Sequence, residues 1–112
     1  MATVTANLVE SKLRQWQSGE LTAAEVHNWA EDTFATDQWE PESDAVNEVL
    51  AKLDTLDMDL VTAEDVPVLL SALRSNAFEA ILAEHFARVD IELRRVRLAG
   101  VPPYAPFCRS SA

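Results

Sequence analysis

Apolar residues return every three or four positions through most of this chain, and only two glycines interrupt them. Returns at that interval line one face of an α-helix. A turn-rich β fold needs many residues with special backbone angles, which two glycines and five prolines in 112 residues cannot supply. The expectation is an all-α fold, a four- to five-helix bundle with short connections. Hydrophobic residues make up 48% and charged residues 25%, which is enough apolar matter to bury a core rather than stay disordered.

The periodicity divides into segments with identifiable ends. Val9, Leu13 and Trp16 share one face of a first helix over 4–17, and Gly19 stands where a left-handed cap residue is favoured. Thr22 and Glu25 have capping-box spacing, with Leu21 and Val26 placed as a hydrophobic staple. A second helix follows, with Val26, Trp29, Ala30, Thr33 and Phe34 inward, ending near Thr36. Pro41 suits the first turn of a third helix running to about Leu56, whose stripe is Val46, Val49, Leu50 and Leu53. Asp65 is expected to cap a short helix over 66–74, because a helix capped at Thr62 would set Pro67 against the Ala63 carbonyl. Asn76 and Glu79 have capping-box spacing before a last helix, with Phe78, Leu82, Phe86, Val89, Leu93 and Val96 inward, Arg94, Arg95 and Arg97 in its final turns, and Gly100 at its end. The bundle domain is thus 1–100. The Pro-rich tail, 101–112, cannot be helical and is expected to pack on the bundle through Val101, Tyr104 and Phe107.

Charge is distributed unevenly. Residues 1–19 carry a balance of +1, residues 20–65 carry −13 and residues 66–112 carry +2, for a total of −10. Binding free nucleic acid requires a basic surface, so direct nucleic-acid binding is not expected. No apolar run reaches the length of about 20 residues that spans a bilayer. The first residues lack the basic-then-apolar pattern of a secretory signal, and Cys108 is the sole cysteine, so a cytoplasmic location is expected, with no disulfide and no membrane partner. The acidic block is either a solubilising surface or the complement of a basic partner. Asp37, Trp39, Glu40, Glu42 and Asp44 cluster between the second and third helices and are the candidate partner-binding residues. A tryptophan among carboxylates suits an anchor for lysine or arginine; the competing expectation is that Trp39 packs under its loop.

Catalytic and metal patterns are weak. Asp54, Asp57, Asp59, Glu64 and Asp65 resemble a calcium loop only in charge: counted from Asp57, position six is Thr62 instead of glycine and position twelve is Val68. They are expected to be solvated. His27 and Glu31 are four apart, which reads as a surface pair because no second pair completes a metal site. His85 is expected to be a core or boundary histidine near Arg88 or Glu92, and Cys108 beside Arg109 has no histidine nearby to make it a nucleophile. No Gly-rich phosphate loop or serine elbow is present. No catalytic residue, cofactor or metal is assigned.

The run Leu13-Arg-Gln-Trp16-Gln-Ser-Gly19-Glu-Leu21-Thr-Ala-Ala-Glu25 resembles the opening of small bacterial immunity proteins of the colicin D immunity type. The resemblance spans about 15 residues. It implies an acidic helical bundle that covers the active site of a basic, nucleic-acid-cleaving toxin, and it carries over no toxin-contacting residue. The leading expectation is an acidic interaction domain using the 20–65 surface. The alternatives are a ligand-binding or enzymatic domain with a pocket near His85, and a homo-oligomeric module.

Overall fold

The computed structural model describes residues 2–108. Six α-helices and two three-residue strands follow one another along them: β1 (Ala2–Val4), α1 (Ala6–Ser18), α2 (Ala23–Ala35), β2 (Trp39–Pro41), α3 (Asp44–Asp54), α4 (Val66–Leu73), α5 (Phe78–Ala87) and α6 (Ile91–Arg97). The helical class agrees with the periodicity. No helix among the described residues is long and apolar enough to cross a membrane.

Local signals fix the first two helices. Thr5 caps α1 by accepting from the Leu8 N–H at 3.1 Å, so residues 2–4 are left extended instead of joining the helix. They pair in parallel with β2, Ala2 opposite Trp39 and Val4 opposite Pro41. Gly19 ends α1 in the left-handed region, φ 87°, with its N–H on the Trp16 carbonyl. The capping box at α2 is complete: the Glu25 N–H donates to the Thr22 hydroxyl at 3.2 Å and the Thr22 N–H to the Glu25 carboxylate at 3.0 Å.

Several later boundaries depart from expectation, whereas α4 begins at Val66 after a turn, as expected. Pro41 belongs to β2, because the Ser43 hydroxyl accepts from the Val46 N–H and starts α3 there. Thr62 caps a short 3-10 turn, Ala63–Asp65, and α4 begins after it with Pro67 in its first turn, where a missing N–H costs nothing. Asp65 makes no capping bond to α4; its side chain turns inward. The Asn76–Glu79 box does not form either, since α5 starts at Phe78 without a side-chain cap. The single last helix is two, because the Asp90 carboxylate accepts from the Leu93 N–H at 3.0 Å and opens α6. That break rotates the inward face: Arg94 is buried, while Leu93 and Val96 are 53% and 75% exposed. Gly100 lies beyond α6 and is not in the left-handed region.

The core is aliphatic and shared by all the larger helices. Val9 and Leu13 of α1, Val26 of α2, Val46, Val49, Leu50 and Leu53 of α3, and Leu69 and Leu73 of α4 are at most 1% exposed. Helix α4 packs on α1, α3 and α5. Tyr104 and Cys108 join the same core, whereas Val101 and Phe107 are exposed, and the segment expected to be non-helical forms a 3-10 turn at Ala105–Phe107, with Pro106 in its first turn.

Nothing lies within 4 Å of a Cβ built on either glycine, so only backbone conformation distinguishes the two. Gly19→Ala is expected to destabilise the protein by about 1 kcal/mol, the cost of a left-handed L-residue. Gly100→Ala should change stability by less than about 0.5 kcal/mol. Urea denaturation of the two variants measures the contrast.

Candidate functional site

The acidic surface between α2 and α3 is built on β2. Asp37, Glu40, Glu42 and Asp44 are all exposed, while Trp39 is half-buried, its ring edge-on to Phe34 with centroids 5.2 Å apart. Trp39 therefore packs as part of the fold instead of standing free among carboxylates. Glu42 also has a structural task, since its carboxylate accepts from the Ala6 N–H at 2.9 Å and caps α1, where negative charge is favoured. Glu42 and Asp44 line an open cleft of about 580 Å³, together with Ala6, Ser43, Leu73 and Phe78.

Among the described residues, none of Asp37, Glu40, Glu42 and Asp44 has a cationic side chain within ion-pair distance. Among the described residues, every base except Arg88 is engaged elsewhere. Arg14 and Arg74 pair with Glu10, Arg94 with Asp65, Arg95 with Glu92 and Arg97 with Glu64. Lys12 lies over the Trp29 ring and Lys52 over the Phe86 ring.

A second cluster is internal. Asp65 is fully buried, and its carboxylate accepts from Arg94 Nη1 and Nη2 at 2.6 and 2.8 Å, His85 Nε2 at 2.6 Å and the Thr62 N–H at 2.9 Å. Arg94 also donates to the Leu60 carbonyl at 3.0 Å. Burial pushes the Asp65 carboxyl up, but the bonds from Arg94, His85 and Thr62 outweigh it and hold the group below the ordinary carboxylate range. Beside it the Tyr104 hydroxyl donates to the Val61 carbonyl, and burial, reinforced by Asp65, raises that phenol. His85 thus contacts Asp65, in place of the expected Arg88 or Glu92, and it lines neither this cleft nor the one between Asn7 and Glu20.

His27 is a further correction. It is 7% exposed and not on the surface; Nδ1 donates to the Leu53 carbonyl at 3.2 Å, and Nε2 faces Glu31 at 3.4 Å and Asp57 at 3.3 Å. The acids of the loop after α3 are likewise not uniformly solvated, since Asp65 is buried and Asp54 and Asp57 are half-buried. No group of three or more histidine, cysteine and acidic side chains among the described residues is placed to hold a metal ion. Cys108 is buried, and Arg109 lies outside the described residues.

Comparison with protein-family models, with curated proteins and with solved structures found no match. The chemistry of the two clusters therefore rests on their geometry. The internal cluster spends its hydrogen bonds on itself and locks the fold. The acidic surface leaves its charge facing outward.

The Asp65–Arg94 lock gives a pH dependence with a definite sign. A carboxyl whose folded pKa lies below its unfolded value of about 3.9 stabilises fully above that value, and the contribution disappears as pH falls through the lower folded pKa. Asp65→Asn should cost about 3–5 kcal/mol at neutral pH, because it leaves the buried Arg94 with only the exposed Glu64, 3.7 Å away, as counter-charge. The variant should also lose part of the wild-type decline in stability below about pH 4. Urea denaturation monitored by circular dichroism across that range checks both effects.

Proposed function

We propose that this chain is an acidic protein-interaction domain that binds a basic partner through the 20–65 surface, with Asp37, Trp39, Glu40, Glu42 and Asp44 at the contact. The observation that carries the reading is the unanswered charge. The exposed carboxylates around β2 have no cationic neighbour among the described residues, while nearly every described base is engaged with another part of the chain. A complementary potential from outside would accelerate encounter and fix orientation. Trp39 would serve from a half-buried seat, its exposed part offering an apolar contact beside the carboxylates.

The resemblance of residues 13–25 to colicin D-type immunity proteins sets the partner class within this proposal: a basic, nucleic-acid-cleaving protein whose active site the acidic face covers. Such a partner presents the positive surface that phosphate binding requires. The chain would act as an inhibitor, with no catalytic residue of its own.

Capture of a basic protein by the tagged chain at low salt, with release by a salt step, supplies the partner for the test. Asp37→Lys with Glu40→Lys is the variant of choice, since among the described residues neither side chain makes a hydrogen bond and Glu42 does. The double reversal should weaken binding of that partner by about 10- to 100-fold and flatten its salt dependence, while leaving the thermal midpoint within a few degrees. Equal affinity of variant and wild type, measured by calorimetry, overturns the proposal.

A further inference from the structure

The acidic surface contains an open sheet edge. In a parallel pair, alternate residues of each strand turn their backbone groups toward the partner strand. The Ala2 N–H donates to the Gln38 carbonyl and the Glu42 N–H to the Val4 carbonyl, both at 2.9 Å, so the even-numbered residues 38, 40 and 42 face β1. The N–H and carbonyl of Trp39 and the carbonyl of Pro41 therefore face away from it, and they have no hydrogen-bond partner among the described residues. Side chains alternate accordingly: Trp39 and Pro41 are half-buried on one face, and Glu40 is exposed on the other. An unpaired edge is a template for a further strand, whose main chain supplies affinity and whose alternate side chains supply specificity.

We infer that the basic partner adds a short antiparallel strand to the outer edge of β2. The inference rests on the acidic-interface reading and specifies its mode. Pro41 has no N–H, so Trp39 is the one residue of β2 that offers both a donor and an acceptor on this edge. A single antiparallel residue opposite Trp39 takes both bonds. Its side chain lies on the Trp39 face, and the residues on either side of it lie on the Glu40 face. The sequence that fits is therefore cation–apolar–cation: a β-branched residue against the tryptophan, flanked by lysines or arginines facing Glu40 and the neighbouring Asp37, Glu42 and Asp44. Charge complementarity selects this occupant over a second copy of the chain, whose net charge of −10 repels the same surface.

The probe is a capped pentapeptide, Thr-Lys-Val-Lys-Thr, titrated into the intact chain and followed by amide NMR. Its expected signature is a saturable shift of the Trp39 amide. N-methylation of the central valine removes the donor to the Trp39 carbonyl and should weaken binding about tenfold, whereas N-methylation of either lysine, whose N–H points away, should change it by less than about twofold. If all the peptides bind equally, strand addition is overturned and the electrostatic interface stands. If none shifts any residue of 37–44, strand addition is overturned and the acidic-interface reading is left to the partner-affinity measurement on the charge-reversed chain.

Discussion

The buried pair of Asp65 and Arg94 is the interaction on which the C-terminal third of this structure depends. A carboxylate with no solvent exposure is unfavourable unless its lone pairs are filled, and here four donor groups fill them. Those donors come from separate places: the Thr62 backbone before the 3-10 turn, His85 on α5 and Arg94 on α6. Satisfying one charge thus brings three elements to one point. Arg94 has a further effect through its bond to the Leu60 carbonyl. Leu60 holds a left-handed backbone, φ 53°, which is strained for a leucine, and it is kept there by a buried side chain and that hydrogen bond. The Tyr104 hydroxyl fastens the next carbonyl, that of Val61. The loop between α3 and α4 is therefore pinned from the C-terminal side as well as by its own Thr55–Asp59 and Thr62–Asp65 hydrogen bonds.

This arrangement explains where the amino-acid sequence is legible and where it is not. Gly19, the Thr22–Glu25 box and the α3 stripe are readable because cause and effect lie within one or two helical turns. Asp65 and Arg94 are 29 residues apart, and nothing in the local pattern of either marks it as the other's partner. Arg94 instead sits one position from Leu93 in what reads as an amphipathic stripe. Burying a guanidinium in place of that stripe turns Leu93 and Val96 outward, so periodicity alone gives α6 the wrong face. One signal for the break was present: Asp90 is a good N-cap residue three positions before Leu93.

The acidic site was partly legible for the same reason. Composition locates the charge, because counting needs no structure. The strands are invisible to pattern, since three residues are too few to alternate, and β1 pairs with residues 37 positions away. The dual use of Glu42 follows from that pairing: the parallel register sets residue 42 beside Val4, and from there its carboxylate reaches the Ala6 N–H. His27 reads as a surface residue because the i, i+4 pair with Glu31 looks complete on one helix, whereas the Leu53 carbonyl and Asp57 that enclose it come from later in the chain.

Core and surface divide the work of charge between them. The aliphatic core formed by α1, α3 and α4 supplies stability to which, of the carboxylates around β2, only the cap from Glu42 adds, and the ion pairs set Arg74, Arg94, Arg95 and Arg97 on Glu10, Asp65, Glu92 and Glu64. What remains is an excess of like charge on one face. Mutual repulsion among those carboxylates opposes folding, and added salt screens it. The same salt screens the attraction to a basic partner. Ionic strength thus acts with opposite sign on the stability of the free chain and on its proposed association. A surface kept only for solubility requires the first of these effects and not the second, so the two salt responses together separate a solubilising face from a binding one.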